Sequence, residues 1–376
     1  MLKWGGFLIL GIVLFSCKPQ TPTEVLPDVD QTKVQQIDTL FDSVSIERMN
    51  DYFYQKAKHN QFSGNVLITQ KGKVFRGVYG WANYRKRDSL DINTSFQLAS
   101  GSKPFTAVAI MQLVEQGVIQ LDDSLGMYFC DWPYPDITVK LLLSHRSGLG
   151  NYMYHTDDWR EDKSYPMCNQ EAVDSFIVHR PEIYYTPDTR FDYNNTNYML
   201  LASIIEHVSG MSFESYMQQN IFDAIGMTHT FINSEMAYHP EKNMAVGQDK
   251  RMRPIAEFYL NGTVGDKGVY STVDDMYKFH QALMNNELIG EESFQEMITP
   301  QSKFSRRGGS YGLGFRIHKY DDGTEIVYHN GWWRGFRSYF IHYHQKDAAV
   351  IVLTNTIRGD FLDQKELLEL LNNQEN

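Results

Sequence analysis

The chain has few cysteines, no excess of positive charge and no apolar run long enough to span a membrane. Three of its 376 residues are cysteine, and no Cys-x-x-Cys or His-Glu-x-x-His pattern occurs, so the sequence predicts no metal site. Acidic residues outnumber basic ones by 46 to 35, for a formal net charge of −11. Nucleic acid, a polyanion, is therefore an unfavourable partner. The apolar run Trp4–Phe15 is too short to cross a bilayer.

The first residues have the pattern of an export signal. Met1-Leu2-Lys3 precede the apolar run and Ser16-Cys17 follow it, which is typical of a basic n-region and a short h-region. Leu14-Phe15-Ser16-Cys17 resembles a bacterial lipobox, although an ordinary signal peptide with an incidental cysteine also fits. We expect residues 1–16 to be a lipoprotein signal peptide, Cys17 to be lipidated and residues 17–34 to form a flexible tether.

A lipid on Cys17 would anchor the protein to a membrane of the cell envelope. Because Lys18 rather than aspartate follows the cysteine, the inner-membrane retention signal known from some bacteria is absent, and we expect a periplasm-facing anchor in the outer membrane. Cys130 and Cys168 would then lie in an oxidising compartment. One disulfide between them and two unpaired buried thiols are both compatible with the sequence.

The order of predicted elements indicates an α+β fold, an α/β sandwich. Hydrophobic patterns predict a helix over Ile46–His59 and a hairpin of Gly64–Gln70 with Lys73–Gly80. We expect an antiparallel sheet built from the N- and C-terminal segments of residues 35–376, flanked by helices, with a mainly helical lobe inserted at about residues 105–285. Further helices are predicted at Tyr198–Val208, Phe213–Ile221 and Leu362–Leu371, and further strands at Tyr311–Tyr320, Glu325–His329, Phe336–His344 and Ala348–Asn355.

The stretch with the clearest chemical meaning is Ser100-Gly101-Ser102-Lys103, the one Ser-x-x-Lys of the chain. It lies between an extended run, Thr94–Ala99, and an apolar helical run, Phe105–Val114, so the hydroxyl and the amine stand one helical turn apart on the same face. Pro104 suits the first turn of that helix. A serine becomes a nucleophile when a neighbouring base takes its proton, and a helix N-terminus offers N–H groups to an oxyanion.

Two further clusters lie at predicted element boundaries: Tyr193-Asn194-Asn195 before a helix and His329-Asn330-Gly331 at the end of a strand. Together with the Ser-x-x-Lys stretch, their order and spacing resemble the serine β-lactamase and penicillin-binding-protein superfamily, specifically its branch of class C β-lactamases, DD-peptidases and related esterases. The resemblance covers Ile46 to Asn355. Longer strings that support it are Phe96–Ala107, Leu141–Leu149 and Phe191–Tyr198.

The resemblance implies a β-lactamase/transpeptidase-like fold and three catalytic residues. Ser100 would attack a carbonyl, while Lys103 and Tyr193 would share the proton transfer. Tyrosine and lysine have reference pKa values near ~10 and ~10.4. Either therefore acts as a base at neutral pH only when the pair is coupled in a dry, electropositive pocket, and which of them carries the proton is a property of the pair.

The substrate-binding residues follow from the same resemblance. Asn195 would orient both the lysine and the substrate. The N–H groups of Ser100 and Trp332 would form an oxyanion hole, which is usually among the larger contributions to acyl transfer. The implied substrate-binding set is Asn195, His329, Gly331 and Trp332.

The third cluster departs from the family's pattern. The β-lactamases usually have Lys-Thr-Gly or Lys-Ser-Gly there, and His329 replaces that permanent cation. Since histidine has a reference pKa near ~6.5 and is largely neutral at pH 7, we expect weaker attraction for a substrate carboxylate. Arg334 and Arg337 either restore a cation or lie in a solvated loop. Trp332 and Trp333 replace small residues, and either narrow the cleft or serve structural packing.

Two loops also match the family in position. The loop Asn151–Trp159 corresponds to a segment that lines the family's cleft, and both an aromatic lid and a plain surface loop fit its composition. Pro187-Asp188-Thr189 stands where the family often has Pro-Gly-Thr. We expect the same turn there, because aspartate tolerates left-handed backbone geometry better than most residues.

Other hydrolase families fit less well. A class A β-lactamase would have Ser-Asp-Asn and Lys-Thr-Gly, and the chain has neither. Gly308-Gly309-Ser310-Tyr311-Gly312 matches the Gly-x-Ser-x-Gly pattern of α/β-hydrolases. That nucleophile needs a strand before it and a helix after it, whereas a basic loop precedes this match and a predicted strand follows it, so we interpret it as a glycine-rich turn.

We therefore predict a cofactor-free serine hydrolase that works through an acyl-enzyme. Its substrate would be a small molecule or a peptidoglycan-derived peptide with an ester, amide or D-amino-acid peptide carbonyl. One alternative is a DD-carboxypeptidase or β-lactamase acting on cell-wall peptides or lactams. The alternative of another class is a non-catalytic lipoprotein that binds cell-wall peptides, although such a pocket has no need of a base beside a serine.

Overall fold

A central antiparallel sheet organises the protein, for which the computed structural model describes residues 39–372. The predicted signal peptide (residues 1–16), the tether (residues 17–34) and the lipidation of Cys17 lie outside the described residues. The strands are β1 (Thr39–Leu40), β2 (Gly64–Gln70), β3 (Lys73–Tyr79), β4 (Trp81–Asn83), β5 (Asp88–Ser89), β6 (Phe96–Gln97), β7 (Phe231–Ile232), β8 (Val269–Ser271), β9 (Gly309–Tyr311), β10 (Arg316–Lys319), β11 (Glu325–Trp333), β12 (Phe336–Tyr343) and β13 (Ala348–Thr354).

Eight strands form the main sheet in the order β1-β3-β2-β13-β12-β11-β10-β9, so strands from both ends of the chain meet at β2 and β13. β1 pairs parallel with β3, and the other neighbours are antiparallel. Every residue of β13 is buried. Its side chains alternate between the two faces: Val350 and Val352 join one apolar cluster, while Ile351 and Leu353 join the other.

Helices cover both faces of the main sheet. They are α1 (Ser43–Lys58), α2 (Lys103–Glu115), α3 (Val139–Leu143), α4 (Tyr152–Trp159), α5 (Asn169–His179), α6 (Asn195–Ser209), α7 (Phe213–Met217), α8 (Val273–Met284), α9 (Glu291–Ile298) and α10 (Gln364–Asn372). α1 and α10 pack on one face, which we call the outer face, with Phe53 and Leu367 buried there. α2 and α8 pack on the other, the catalytic face, within the larger core.

The predicted α+β architecture with an antiparallel sheet is confirmed. The hairpin of β2 and β3 occupies the predicted positions, and α1 begins at Ser43 because the Asp42 side chain accepts a hydrogen bond from the Ser45 N–H at 2.9 Å. α2 is apolar all round and is buried accordingly. Beyond the predicted elements, β6, β8 and β7 form a small three-stranded sheet.

The predicted strand Tyr311–Tyr320 is wrong, because the chain turns back on itself within it. β9 and β10 are separate antiparallel strands. Gly314 between them has φ +93°, and a Cβ on Gly312 would lie 2.0 Å from the Met297 carbonyl oxygen, so glycine allows this turn. Ser310 lies in β9 and its hydroxyl donates to the Ser302 carbonyl. This segment therefore has no strand-to-helix nucleophile turn.

Three smaller expectations have clear outcomes. Asp188 adopts φ +65°, as the turn predicts. Cys130 and Cys168 are not joined, and both thiols are exposed rather than buried. In the part of the chain that the structure describes, no helix combines the length and apolar character that crossing a membrane requires.

Candidate active site

Ser100 lies in a tight turn of 3-10 helix, Ala99–Ser102, that leads directly into α2. The residue before it, Ala99, has φ +51°, a left-handed conformation that is uncommon for alanine and that the surroundings must hold in place. The Leu98 carbonyl supplies that support by accepting from the Gly101 N–H at 2.9 Å and from the Ser338 hydroxyl at 2.6 Å. The strained turn presents Ser100 at the start of the helix.

Gly331 allows β11 to approach this turn closely. A Cβ on Gly331 would lie 1.9 Å from the Leu98 carbonyl oxygen and 3.0 Å from the Gly101 nitrogen. No larger residue fits without moving the strand away from the serine. The absence of a side chain at Gly331 therefore lets β11 pack closely against the nucleophile turn, and its part in substrate binding stays a prediction.

Lys103 is fully buried, and three oxygen atoms hold its amine. Nζ lies 3.2 Å from Ser100 Oγ, 2.8 Å from Asn195 Oδ1 and 2.9 Å from the backbone carbonyl oxygen of Asp266. The structure thus brings the predicted nucleophile within hydrogen-bond distance of the predicted base. Asn195 contacts the lysine from the first turn of α6. Its role in orienting the lysine and the substrate stays a prediction.

Tyr193 borders the same amine, but through its ring. Lys103 Nζ lies 5.0 Å from the ring centroid. The Tyr193 hydroxyl is buried and has no hydrogen-bond partner within residues 39–372. The hydrogen bond through which it would share a proton with Lys103 is therefore not formed in this structure. Buried polar atoms are normally satisfied, and a bound substrate would offer this hydroxyl a partner. Its role as a second base stays a prediction.

His329 is buried between two fixed partners. Its Nε2 lies 3.1 Å from the Tyr311 hydroxyl, and its Nδ1 lies 2.9 Å from the Asn330 carbonyl oxygen, the arrangement of a neutral ring that donates through Nδ1 and accepts at Nε2. Burial lowers the pKa of His329 well below its usual value, and the nearby charges of Arg316 and Lys103 act in the same direction. His329 is therefore a neutral group, not a substitute for the family's lysine.

The cation on this side of the site is Arg316, which sequence reasoning missed. Its guanidinium lies 4.5 Å from the centroid of the Tyr193 ring and 5.9 Å from that of Tyr311. Arg316 is the first residue of β10. The one signal in the sequence was an arginine between Phe315 and Ile317 in an otherwise apolar stretch, and that pattern does not show where the side chain points.

His145 is a second group without a predicted role. It is buried, and its ring centroid lies 4.4 Å from that of Tyr193. Nδ1 accepts from the Asn194 N–H at 3.2 Å and lies 3.0 Å from Asn197 Nδ2, so the ring fixes the turn that carries Tyr193. Burial lowers the pKa of His145 well below its usual value, and Lys103 adds to the effect.

The two tryptophans after Gly331 lie on opposite faces of β11 and form no single aromatic wall. Trp333 faces the helical layer, where its Nε1 donates to Asn261 Oδ1 at 2.8 Å. The Trp332 side chain is 61% exposed and meets only the edge of Phe361 among the aromatic rings in the described range. Of the two alternatives, structural packing therefore applies to Trp333, whereas the Trp332 side chain is not packed in the core. The oxyanion role of its N–H stays a prediction.

The two arginines after Trp333 and the segment at residues 151–159 differ from the alternatives that the sequence leaves open. Arg334 and Arg337 supply no cation to the site, because their guanidinium groups bind the carbonyls of Ala256 and of Gly359 and Asp360. The loop expected at residues 151–159 is the helix α4, capped by the Asn151 side chain. Its Tyr152 is buried, so the segment is a packed wall rather than an aromatic lid.

Comparisons with known proteins agree with this geometry. The sequence model of the Beta-lactamase family matches residues 49–372. Penicillin-binding protein 4* of Bacillus subtilis is 30% identical over 340 residues, which cover 86% of this chain and 72% of that protein. A putative D-alanyl-D-alanine carboxypeptidase of Escherichia coli is 24% identical over 78% of this chain and 72% of its own length.

Solved structures show the same fold. A penicillin-binding protein from Bacillus halodurans superposes with a TM-score of 0.73 at 28% identity, over 85% of this chain and 98% of that one. The D-amino acid amidase from Ochrobactrum anthropi, complexed with L-phenylalanine amide, gives a TM-score of 0.72 at 23% identity, over 88% and 97%. The chain therefore belongs to the β-lactamase family, and it is a serine hydrolase of that family.

Proposed function

We propose that this hydrolase acts on peptides of D-amino acids that end in a free carboxylate. The observation that carries this proposal is the position of Arg316, whose guanidinium stacks on the Tyr193 ring at 4.5 Å. A guanidinium binds a carboxylate through paired, charge-assisted hydrogen bonds. Arg316 therefore supplies the attraction that the neutral His329 does not.

The open edge of β11 supports a peptide substrate. Pairing of β10 with β11 ends at Arg316 and Tyr328. From Asn330 to Trp333, β11 pairs with β12 on one side, and the other side has no strand partner within residues 39–372. An extended peptide can add to such an edge through main-chain hydrogen bonds. That edge runs beside Gly331, and so beside the Ser100 turn.

The reaction uses groups that are already in place. Lys103 Nζ takes the proton of Ser100 Oγ, across 3.2 Å, as the oxygen attacks the carbonyl carbon. The tetrahedral oxyanion lies against the N–H of Ser100, with the Trp332 N–H as its second donor. Collapse breaks the scissile C–N bond, the leaving amine takes the proton from the lysine, and water then hydrolyses the acyl-Ser100 ester.

Relatives of this chain support the substrate class by their names. One is a putative D-alanyl-D-alanine carboxypeptidase, and a structural neighbour is a D-amino acid amidase. An ester substrate is the main competing possibility, and a β-lactam is the other. Both have a carbonyl that Ser100 can attack, but an uncharged ester makes no use of Arg316.

The test compares four substrates with the full-length enzyme and one variant. The substrates are a D-Ala-D-Ala peptide with a free carboxylate, the same peptide as a C-terminal amide, nitrocefin and a p-nitrophenyl ester. We expect Arg316→Met to lower kcat/KM for the acid peptide about 10–100-fold, the value of a hydrogen bond to a charged group. The amide peptide should lose much less.

Arg190→Met is the matched control, because the Arg190 guanidinium also stacks on a tyrosine, 3.8 Å from the Tyr185 ring centroid. It should leave both peptides unaffected. Equal losses on acid and amide in Arg316→Met would contradict the role of the carboxylate. If the wild-type enzyme prefers the ester or nitrocefin by orders of magnitude, the substrate class proposed here is wrong.

We also propose that the enzyme works in the cell envelope, held to the outer membrane by a lipid on Cys17 and facing the periplasm. The support is the sequence pattern of residues 1–17 and the match of this location to a peptidoglycan-type substrate. Palmitate labelling followed by membrane fractionation tests the anchor. We expect label in the wild type and a soluble, unlabelled Cys17→Ala protein; an unlabelled wild type, or a variant that stays in the membrane, would refute it.

A further inference from the structure

A second buried lysine, Lys267, lies beside the catalytic lysine and has no part in the steps above. Its side chain is 3% exposed, and it stands two residues before β8. A charged group is rarely buried to this extent unless partners hold it. No sequence motif marks this lysine, because the segment Gly265–Gly268 lies outside the three clusters around Ser100, Tyr193 and His329.

The partners of Lys267 form a closed polar cluster. Nζ donates to the Tyr152 hydroxyl at 2.7 Å and to Thr263 Oγ1, and it lies 3.3 Å from Asp266 Oδ1. The Tyr152 hydroxyl lies 3.2 Å from Asp266 Oδ2 and 2.6 Å from Thr263 Oγ1. Nζ also lies 5.4 Å from the ring centroid of Trp333. α4, the loop before β8 and β11 are thereby tied together.

Asp266 joins this cluster to the catalytic lysine. Its carboxylate faces Lys267, whereas its backbone carbonyl accepts from Lys103 Nζ at 2.9 Å. Rotation of this residue would move that carbonyl away from Lys103. The hydrogen bonds that fix the Asp266 side chain therefore also fix one of the three contacts of the Lys103 amine.

The cluster also places charge near Lys103. Burial lowers the pKa of Lys267 to about 8, the Asp266 carboxylate opposes this shift, and repulsion from Lys103 adds to it. The titratable and charged groups that surround the two lysines from the packed elements are Tyr152, Tyr193, Tyr198, Asp266, His145, His329 and Arg316.

We propose that Lys267 is a positioning residue for acylation of Ser100. It holds the Asp266 side chain in place, so that the Asp266 backbone carbonyl accepts a hydrogen bond from the Lys103 amine beside Ser100. This inference rests on the acyl-enzyme step of the proposed function and not on the substrate class. A probe that reacts with Ser100 directly can therefore test it.

The experiment measures the rate at which a fluorophosphonate labels Ser100, as a function of pH, by intact mass. We expect Lys267→Met to lower the labelling rate about tenfold, the effect of losing one positioning hydrogen bond. Lys267→Arg keeps a charged donor beside Asp266, so it should recover most of the wild-type rate.

Lys278→Met is the matched control, because Lys278 also pairs with a buried aspartate, at 2.8 Å from Asp275 Oδ1. Lys278→Met should keep the wild-type labelling rate. A purely structural role for Lys267 would lower the melting temperature of Lys267→Met and leave the labelling rate of the folded variant equal to that of the wild type, and that result would overturn the proposal. Should Lys267→Met fail to fold, Tyr152→Phe carries the test, since it removes the hydroxyl that links Lys267 to Asp266.

For Tyr152→Phe we expect a labelling rate about tenfold below that of the wild type, the effect of losing one positioning hydrogen bond. An unchanged rate and profile in a folded Tyr152→Phe protein would contradict the positioning role. Failure of the wild type itself to react at Ser100 would instead count against the acyl-enzyme mechanism. The two failures are therefore distinguishable.

Discussion

The two faces of the main sheet bury very different groups. The outer face, under α1 and α10, is packed mainly with apolar side chains and aromatic rings such as Phe53, Phe62 and Tyr79. The catalytic face buries lysine, histidine and aspartate in addition to its apolar core, among them Lys103 and His329. The strands are shared, so the difference comes from alternate residues of the same segments.

This difference separates the source of stability from the site of chemistry. Apolar burial on the outer face stabilises the sheet with few polar groups to satisfy. The catalytic face carries a strained Ala99 and buried atoms that have no hydrogen-bond partner within the described part of the chain, the Tyr193 hydroxyl and His145 Nε2 among them. Such features reduce stability and are typical of functional sites. Variants on the catalytic face should therefore mainly lower the reaction rate, and variants on the outer face should mainly lower the free energy of unfolding.

The largest expected effect is on rate, from the catalytic face. Lys103→Met removes the base but fills a similar buried volume. We expect kcat/KM for a p-nitrophenyl ester to fall about 10²–10⁴-fold, the usual contribution of general base catalysis, while the protein stays folded. Steady-state kinetics and circular dichroism check this. Lys140→Met, which removes a half-exposed partner of Glu296, should keep the wild-type rate. A Lys103→Met enzyme with the wild-type rate would contradict the role of Lys103 as the base.

Almost as large is a stability effect on the outer face. Phe53 is fully buried against Phe62 and Tyr79, so Phe53→Ala should lower the free energy of unfolding by about 3–5 kcal/mol. Denaturant titration measures this loss. Tyr54→Ala, at the next position of the same helix but 50% exposed, should cost much less. In the folded Phe53→Ala protein, the rate of Ser100 labelling should equal that of the wild type, and a slowed rate would show that the faces are coupled.

The smallest effect is a pH dependence of stability that belongs to the catalytic face. Burial lowers the pKa of His280 to about 4, below its unfolded value near ~6.5. The unfolded chain therefore binds the proton first as pH falls, and this contribution to stability is full above about pH 6.5 and is lost toward about pH 4. One pKa unit corresponds to about 1.36 kcal/mol, so the fall of the His280 pKa from ~6.5 to about 4 corresponds to a loss of about 3 kcal/mol in the free energy of unfolding.

Urea titrations between pH 7 and pH 4 measure that dependence. His280→Phe should make this dependence shallower, whereas His59→Gln, a change of an exposed histidine that directly follows the outer helix α1, should leave the slope as in the wild type. His342 lies beside His280, at 4.9 Å between ring centroids, and burial lowers its pKa as well. A slope that is the same in wild type and His280→Phe would show that this histidine makes no contribution.

The sequence was most informative where a pattern is local. The hairpin of β2 and β3 and the helix that follows Ser100 lie where periodicity predicts them, because alternation and apolar runs reflect the surroundings of neighbouring residues. Residues 151–159 are predicted as a loop but contain the helix α4, whose aromatic and acidic residues have no clear helical period. The turn between β9 and β10 was missed because its glycines interrupt a run that otherwise has the composition of a strand.

Site residues that lie in motifs were predictable, and residues that reach the site through the fold were not. Ser100 and Lys103 are three positions apart, so helix geometry alone brings them together. Arg316 and Lys267 come from other segments, 213 and 164 positions beyond Lys103 in the chain. Their approach depends on the register of β10 with β11 and on the packing of α4, neither of which a single sequence encodes in a local pattern.

The most direct test of Ser100 as the nucleophile is to map the residue to which an acylating reagent binds. Wild-type enzyme is reacted with a fluorophosphonate and a penicillin, and the adduct is located by intact mass and by tandem mass spectrometry of peptides. We expect one adduct on Ser100, which forms much more slowly in Lys103→Met and is absent in Ser100→Ala. An adduct on any other residue, or equal labelling of Ser100→Ala, would contradict the assignment of the nucleophile.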